Sequence, residues 1–307
     1  MKSIHKGFRR AAMAGAACLI ALELTLRFAV GLGDPVLARL DETVEYLPLP
    51  GDYRRFGNRT RINAQGLRAP DLAATGPAAR LLVLGDSVIY GNHFIDQSDI
   101  VTAHLTARDA CDLPVLPIAA SSWGPVNQAA YLAAQGTFGA RAALIVLSAH
   151  DLFDIPTRSG RVAPYRLRPS LTATGDALRA VRERHPPPAP ADFPNAETRA
   201  EMTLDALDRM LGQMRGDGMR VALVYHPTLP EWDAGARPAA GHFAAWAADR
   251  RVPFVSLLDT MARPGPGAYR DAIHPAPDGA RAVADALWDI AEPLLPVCEI
   301  ASEKRGG

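Results

Sequence analysis

From Arg80 onward the chain alternates short, uncharged apolar runs with Ala-rich stretches of helical period, and this most restricts the fold it can adopt. The candidate strands are Leu81–Leu84, Val115–Ala119, Ala143–Ser148, Arg220–Tyr225 and Pro253–Leu258. Helical patterns lie between them, near Ile100–Arg108, Val126–Gln135, Glu197–Met214 and His242–Ala248. A last helix is expected over Pro277–Ala291, with proline in its first turn and Asp278 favouring its N-terminus. Strands without a polar face must be covered on both sides. The expectation is therefore an α/β protein: a three-layer α/β/α domain with a mostly parallel five-stranded sheet, its functional groups at the C-terminal strand ends.

At 307 residues the chain has room for one such domain and a short appendage. Its 33 basic side chains balance 33 acidic ones, so nothing global points to nucleic acid. Residues 1–33 form a membrane anchor or signal segment. Lys2, Lys6, Arg9 and Arg10 precede the uncharged run Ala11–Leu22, and apolar character resumes to Leu32, broken by Glu23 and Arg27. An uncleaved anchor places the rest outside the cytoplasm, on the periplasmic or extracellular side. Cleavage near Ala29-Val30-Gly31, giving a secreted domain, is the alternative.

Residues 34–79 read as an irregular lead-in, 80–296 as the α/β domain and 297–307 as a tail. Within the domain, 151–195 is long and irregular, either a lid or substrate wall or a spacer. Of three cysteines, Cys18 lies in the apolar segment, while Cys111 and Cys298 are either bridged or separate thiols.

The chemistry concentrates at two places. Leu82-Val83-Leu84-Gly85-Asp86-Ser87 breaks a strand and presents a serine, and Asp271-Ala272-Ile273-His274-Pro275 offers a carboxylate and an imidazole before the final helix. A nucleophile, a base and a base-orienting acid are the minimum set for acyl transfer through a serine ester.

These two blocks resemble those of the SGNH/GDSL hydrolase family, over roughly Arg80–Ala291. The resemblance implies a flavodoxin-like sheet, ester hydrolysis or acyl transfer, and Ser87, Asp271 and His274 as the catalytic residues. The family's second block is similar to Ile118–Pro125, where Ser122 takes the place of the oxyanion glycine; Ser87 would supply a second backbone donor. The third block corresponds to Ser148-Ala149-His150-Asp151, with His150 where an oxyanion asparagine is usual.

Asn92 and Trp123, together with Tyr90 and His93, follow strand ends and are candidates to bind substrate; His226 is a more remote one. No spacing suggests a metal and no phosphate loop is present, so no cofactor is expected. The expected substrate is an O-acyl ester, such as an O-acetyl group, on a small molecule or cell-envelope glycan. An acyltransferase with the same triad, and a non-catalytic assembly protein on this scaffold, are the competing readings.

Overall fold

The computed structural model describes residues 2–72, 80–108, 114–157, 165–182, 190–234, 238–261, 265 and 267–295. The chain enters through helix α1 (Lys2–Leu24), which widens into a π-turn over Thr25–Ala29. Two antiparallel hairpins follow: β1 (Ala38–Asp41) with β2 (Glu45–Pro48), and β3 (Gly51–Arg55) with β4 (Asn58–Ile62). These correct the expectation of an irregular lead-in over 34–79. Tyr53 and Arg55 face inward from β3, Thr60 and Ile62 from β4, and the residues between them face outward or sit at the edge. That period-two pattern suits a half-buried ribbon but is disguised by inward-facing Thr and Arg.

The central sheet comprises β5 (Leu81–Gly85), β6 (Val115–Ala119), β7 (Ala142–Leu147), β8 (Arg220–Tyr225) and β9 (Phe254–Ser256). All neighbours are parallel, in the order β6-β5-β7-β8-β9. As the apolar runs predict, β5, β6 and β7 are buried along their whole length.

The connecting helices are α2 (Ser87–Tyr90), α3 (Val101–Ala107), α4 (Pro125–Gln135), α5 (Ala173–Arg182), α6 (Ala196–Gly216), α7 (Leu229–Ala234), α8 (Pro238–Asp249), α9 (Leu257–Thr260) and α10 (Pro277–Ala291). α4 packs with α6 and α3 with α10, so helices flank the sheet as an α/β/α sandwich. Helix α5 corrects the expectation that 151–195 is irregular throughout. It is held by buried Asp176, whose carboxylate pairs with Arg55 at 2.5 Å and accepts from the Gly33 amide at 3.2 Å. Most of the proline run at 186–190, Cys111, Cys298 and the tail lie outside the described residues.

Register fixes what meets at the C-terminal edge. Gly85 pairs with Ala119 and Leu84 with Ile145, so the chain leaves β5, β6 and β7 side by side. Because β6 and β7 lie on opposite sides of β5, the connections diverge there and open a crevice at the strand ends. Ser87, Ser122 and His150 are all within a few residues of that crevice.

Candidate active site

Gly85 ends β5 because a Cβ there would lie 2.4 Å from Ile89 Cγ1, so the next turn could not fold back this closely. Asp86 then caps α2, its Oδ1 accepting from the Val88 amide at 2.8 Å. Ser87 is the first residue of α2, where backbone N–H groups have no intrahelical acceptor.

The opposite wall is the loop before α10. Arg270 N donates to His274 O at 2.9 Å, and Ala276 N to Ala268 O at 2.8 Å, closing the loop upon itself. The Leu229 amide, opening α7, donates to Ala272 O at 2.7 Å. The chain continues from this loop through Pro277 into α10, as the sequence indicates.

This loop carries His274 to Ser87, with Oγ 2.8 Å from Nε2. On the far side of the ring, Nδ1 lies 2.9 Å from both Oδ1 and Oδ2 of Asp271. Partial burial alone would raise the Asp271 carboxyl. Hydrogen bonds from the His274 and Ile273 amides and from the His274 ring hold it below the usual carboxylate range instead. Arg270 adds a contact of 2.7 Å to Oδ2. An ionised Asp271 makes His274 Nδ1 the protonated nitrogen and leaves Nε2 to accept from Ser87.

A narrow cleft adjoins the serine, lined by Ser87, Gly91, Asn92, Phe94, Arg270 and His274 among others. Asn92 lines this cleft, with its Oδ1 accepting from the Ser121 hydroxyl. Trp123 does not: it is fully buried among Tyr46 and Tyr131, at ring separations of 6.2 and 5.4 Å. Its large apolar body is worth more in the core beneath the Ser121–Ser122 turn than on a wet surface. Tyr90 is likewise buried, packed against Tyr165 and under Arg68. Ser122 is exposed with φ of 60°, the left-handed conformation for which glycine is usual, and its N–H has no acceptor among the described residues.

His150 faces Asp86, with Nε2 2.9 Å from Oδ2. Burial alone would lower its pKa, but the carboxylates of Asp151 and Asp86 raise it to about 10. It is therefore an imidazolium at neutral pH, while Asp86 is held below the usual carboxylate range despite burial. Buried Asp151, close to the Asp86 charge, is pushed well above that range, and its Oδ2 accepts from the Ser148 amide. Single ligand atoms of Asp86, His150 and Asp151 lie within 4.8 Å of one another, a grouping the sequence spacing did not suggest.

His226, at the end of β8, is fully buried and pushed down to about 4 by that burial, so it is neutral. His93 is driven to about 3 by burial and by Arg55 and Arg270, and packs at a tilt against the rings of Phe56 and Phe94.

Sequence reasoning missed four residues. Asp86 joins Ser87 Oγ, at 3.3 Å, to His150. Arg270 braces Asp271 and lays its guanidinium 3.5 Å over the Phe94 ring. Phe94 walls the cleft. Arg68, fully buried, donates to the carbonyls of Tyr90, Asn92, Arg59 and Ile95 and to Gln97 Oε1. It holds the cleft wall from the segment taken as lead-in. An isolated arginine in a polar stretch gives no sequence signal of burial.

No protein-family model and no curated protein sequence matches the chain. Solved structures of similar fold include one named TesA, 21% identical, covering 70% of this chain and 99% of its own at a TM-score of 0.45. A GDSL-like lipase from Bacteroides thetaiotaomicron is 12% identical, covering 73% and 96%, at 0.44. A carbohydrate acetylesterase family member from Sinorhizobium meliloti is 14% identical, covering 70% and 99%, at 0.42. The resemblance to the SGNH/GDSL hydrolases is carried by the Gly85-Asp86-Ser87 and Asp271–His274 blocks of the sequence.

Proposed function

We propose that the protein is a serine ester hydrolase acting through an acyl-enzyme on Ser87. The supporting observation is the unbroken relay of Ser87 Oγ, His274 and Asp271 at 2.8 and 2.9 Å, beside a narrow cleft. His274 Nε2 takes the Ser87 proton as Oγ attacks the ester carbonyl, then returns it to the departing alcohol. Asp271 stays ionised, fixing the ring's tautomer and stabilising the imidazolium. Water repeats the cycle to release the acid.

The developing oxyanion takes its donors from the backbone N–H groups of Ser87 and Ser122. The side-chain donor expected of His150 falls to Asn92. His150 Nε2 is committed to Asp86, whereas the Asn92 amide nitrogen has no acceptor among the described residues and Asn92 lines the cleft. His150 instead neutralises Asp86, whose carboxylate would otherwise stand uncompensated beside a site of developing negative charge.

We infer further that the helix within residues 1–33 anchors the protein. The span His5–Ala29 is 25 residues long with mean hydropathy 1.6, and none of its apolar window is buried. Its basic start favours a cytoplasmic N-terminus and a catalytic domain outside. O-acyl, including O-acetyl, groups on envelope glycans are the substrates that location offers.

The test is acid release from a short activated ester by the full chain and by Ser87→Ala, with and without a glycan acceptor. Turnover lost in Ser87→Ala is expected. Acid release that survives it removes the serine mechanism, and acyl transfer to glycan in place of acid release makes the protein a transferase.

A further inference from the structure

Exposed large apolar side chains are distributed unevenly. Among the described residues beyond α1, every one lies within 28–94 or 167–181, and none lies on α3, α4, α6 or α10. The two segments meet at the outer end of the apolar helix. Glu23 accepts from the Ala173 and Thr174 amides at 2.7 and 3.0 Å, capping α5 from the apolar helix itself. Arg27 donates to Leu171 O, and Asp176 of α5 binds Arg55 and the Gly33 amide. The strand-like stretch around Arg166 hydrogen-bonds to Val36 and Ala38.

The cleft belongs to the same assembly. The Phe56 amide approaches Gly31 O at 3.4 Å, directly after the helix. Phe56 and Gly57 form a two-residue turn with φ of 50° and 83°, an arrangement that strains an aromatic residue and turns its ring outward. That ring stacks on Phe94, 6.1 Å away and within 4° of parallel, and Phe94 walls the cleft. Two stacked rings therefore connect the helix exit to the serine pocket.

Glu23 and Arg27 are the charges that interrupt the apolar helix near its outer end, so they mark where it meets water, and α5 begins at their level. Leu171 is 96% exposed and Phe28 78%, and α5 presents Leu178 and Val181 beside Arg179 and Arg182. Apolar side chains next to arginines suit the boundary between acyl chains and anionic headgroups.

We propose that this face rests on the membrane from which the helix emerges, so that the Ser87 cleft opens at the lipid–water boundary and takes acyl esters of amphiphilic alcohols held there. This rests on the esterase and anchor readings, adds an orientation to them, and narrows the substrates from envelope glycans in general to acylated amphiphiles held at the membrane. Continuity with the spanning helix favours lipid over a protein as the occupant.

The test uses the full chain in vesicles of phosphatidylcholine and phosphatidylglycerol, with a fluorophore at Leu178→Cys after the native cysteines are replaced by serine. A control label sits at Asp289→Cys, toward the far end of α10, where the adjoining Pro293 carbonyl meets Arg220 at the start of β8. Lipid-borne quenchers should remove most of the signal at position 178 and none at 289. The double variant Leu171→Glu, Leu178→Glu should turn over a bilayer-embedded ester at least about tenfold more slowly, which corresponds to 1.4 kcal/mol of lost docking. Its turnover of a soluble activated ester should be unchanged, which also shows that it is folded.

No quenching at 178, shielding there only in native membranes and not in pure lipid, or equal loss on both esters would overturn the proposal. Absence of Ser87-dependent turnover on either ester defeats the esterase reading separately, and quenching at 178 then decides the docking.

Discussion

At the scale of single residues, Asn92 and His150 carry different consequences. Asn92→Ala should lower kcat by about 10²–10³ with KM little changed, the loss typical of one oxyanion donor. His150→Ala should cost less in kcat but alter stability with pH. The folded pKa of His150 is raised, so the stabilisation it lends is complete below the ordinary histidine value of 6.5 and is lost as pH rises through about 10. The Tm gap between wild type and His150→Ala should accordingly narrow between about pH 6 and about pH 10.5. A constant gap would place the His150–Asp86 contact outside the ionic description. Asp271→Asn, leaving the loop intact but disturbing the His274 tautomer, should reduce kcat by about 10³–10⁴.

At the scale of elements, Ser87, Asp271 and His274 could be singled out as candidates because each is announced by its neighbours. A strand breaks at Gly85-Asp86-Ser87, and Asp271 and His274 stand just before a helix opened by proline. Trp123 misled because a tryptophan after a strand end satisfies the core and a pocket equally well in sequence. The hairpins and α5 escaped because polar residues share their inward positions: Arg55 and Thr60 alternate inward with Tyr53 and Ile62, and Arg55 is buried only in its pair with Asp176, which disguises the period that betrays burial. Arg68 shows the same limit. Arg68→Ala would strip five hydrogen bonds from buried carbonyls and Gln97, and should destabilise the protein by at least about 3 kcal/mol in denaturant unfolding. A loss below about 1 kcal/mol would mean that water replaces the guanidinium. Gly279 supports the other wall. A Cβ there would lie 1.9 Å from the Ala268 carbonyl oxygen, so Gly279→Ala must push α10 away from the His274 loop. It should cost about 1–3 kcal/mol and reduce kcat.

At the scale of the whole molecule, the N-terminal segment is part of the architecture as well as a candidate anchor. It caps α5 through Glu23, ties Gly33 to Asp176, and braces the hairpin turn that carries Phe56. A chain beginning at residue 34 should keep the central sheet, whose strands pair with one another and pack under helices α3, α4, α6, α8 and α10. Its α5 should lose protection, seen as faster amide hydrogen exchange over 173–182 with little change in β5, β7 and β8. Equal protection in both forms would show that α5 is held by the Arg55–Asp176 pair alone.

The measurement closest to the central claim is covalent trapping of the nucleophile. The folded full chain, treated with a phosphonate ester that mimics the tetrahedral intermediate, should gain one adduct by intact mass, mapped to Ser87. Ser87→Ala and His274→Ala should gain none. An adduct on another residue, or none on folded wild type across short and long acyl analogues, would contradict the account of Ser87 as an activated serine.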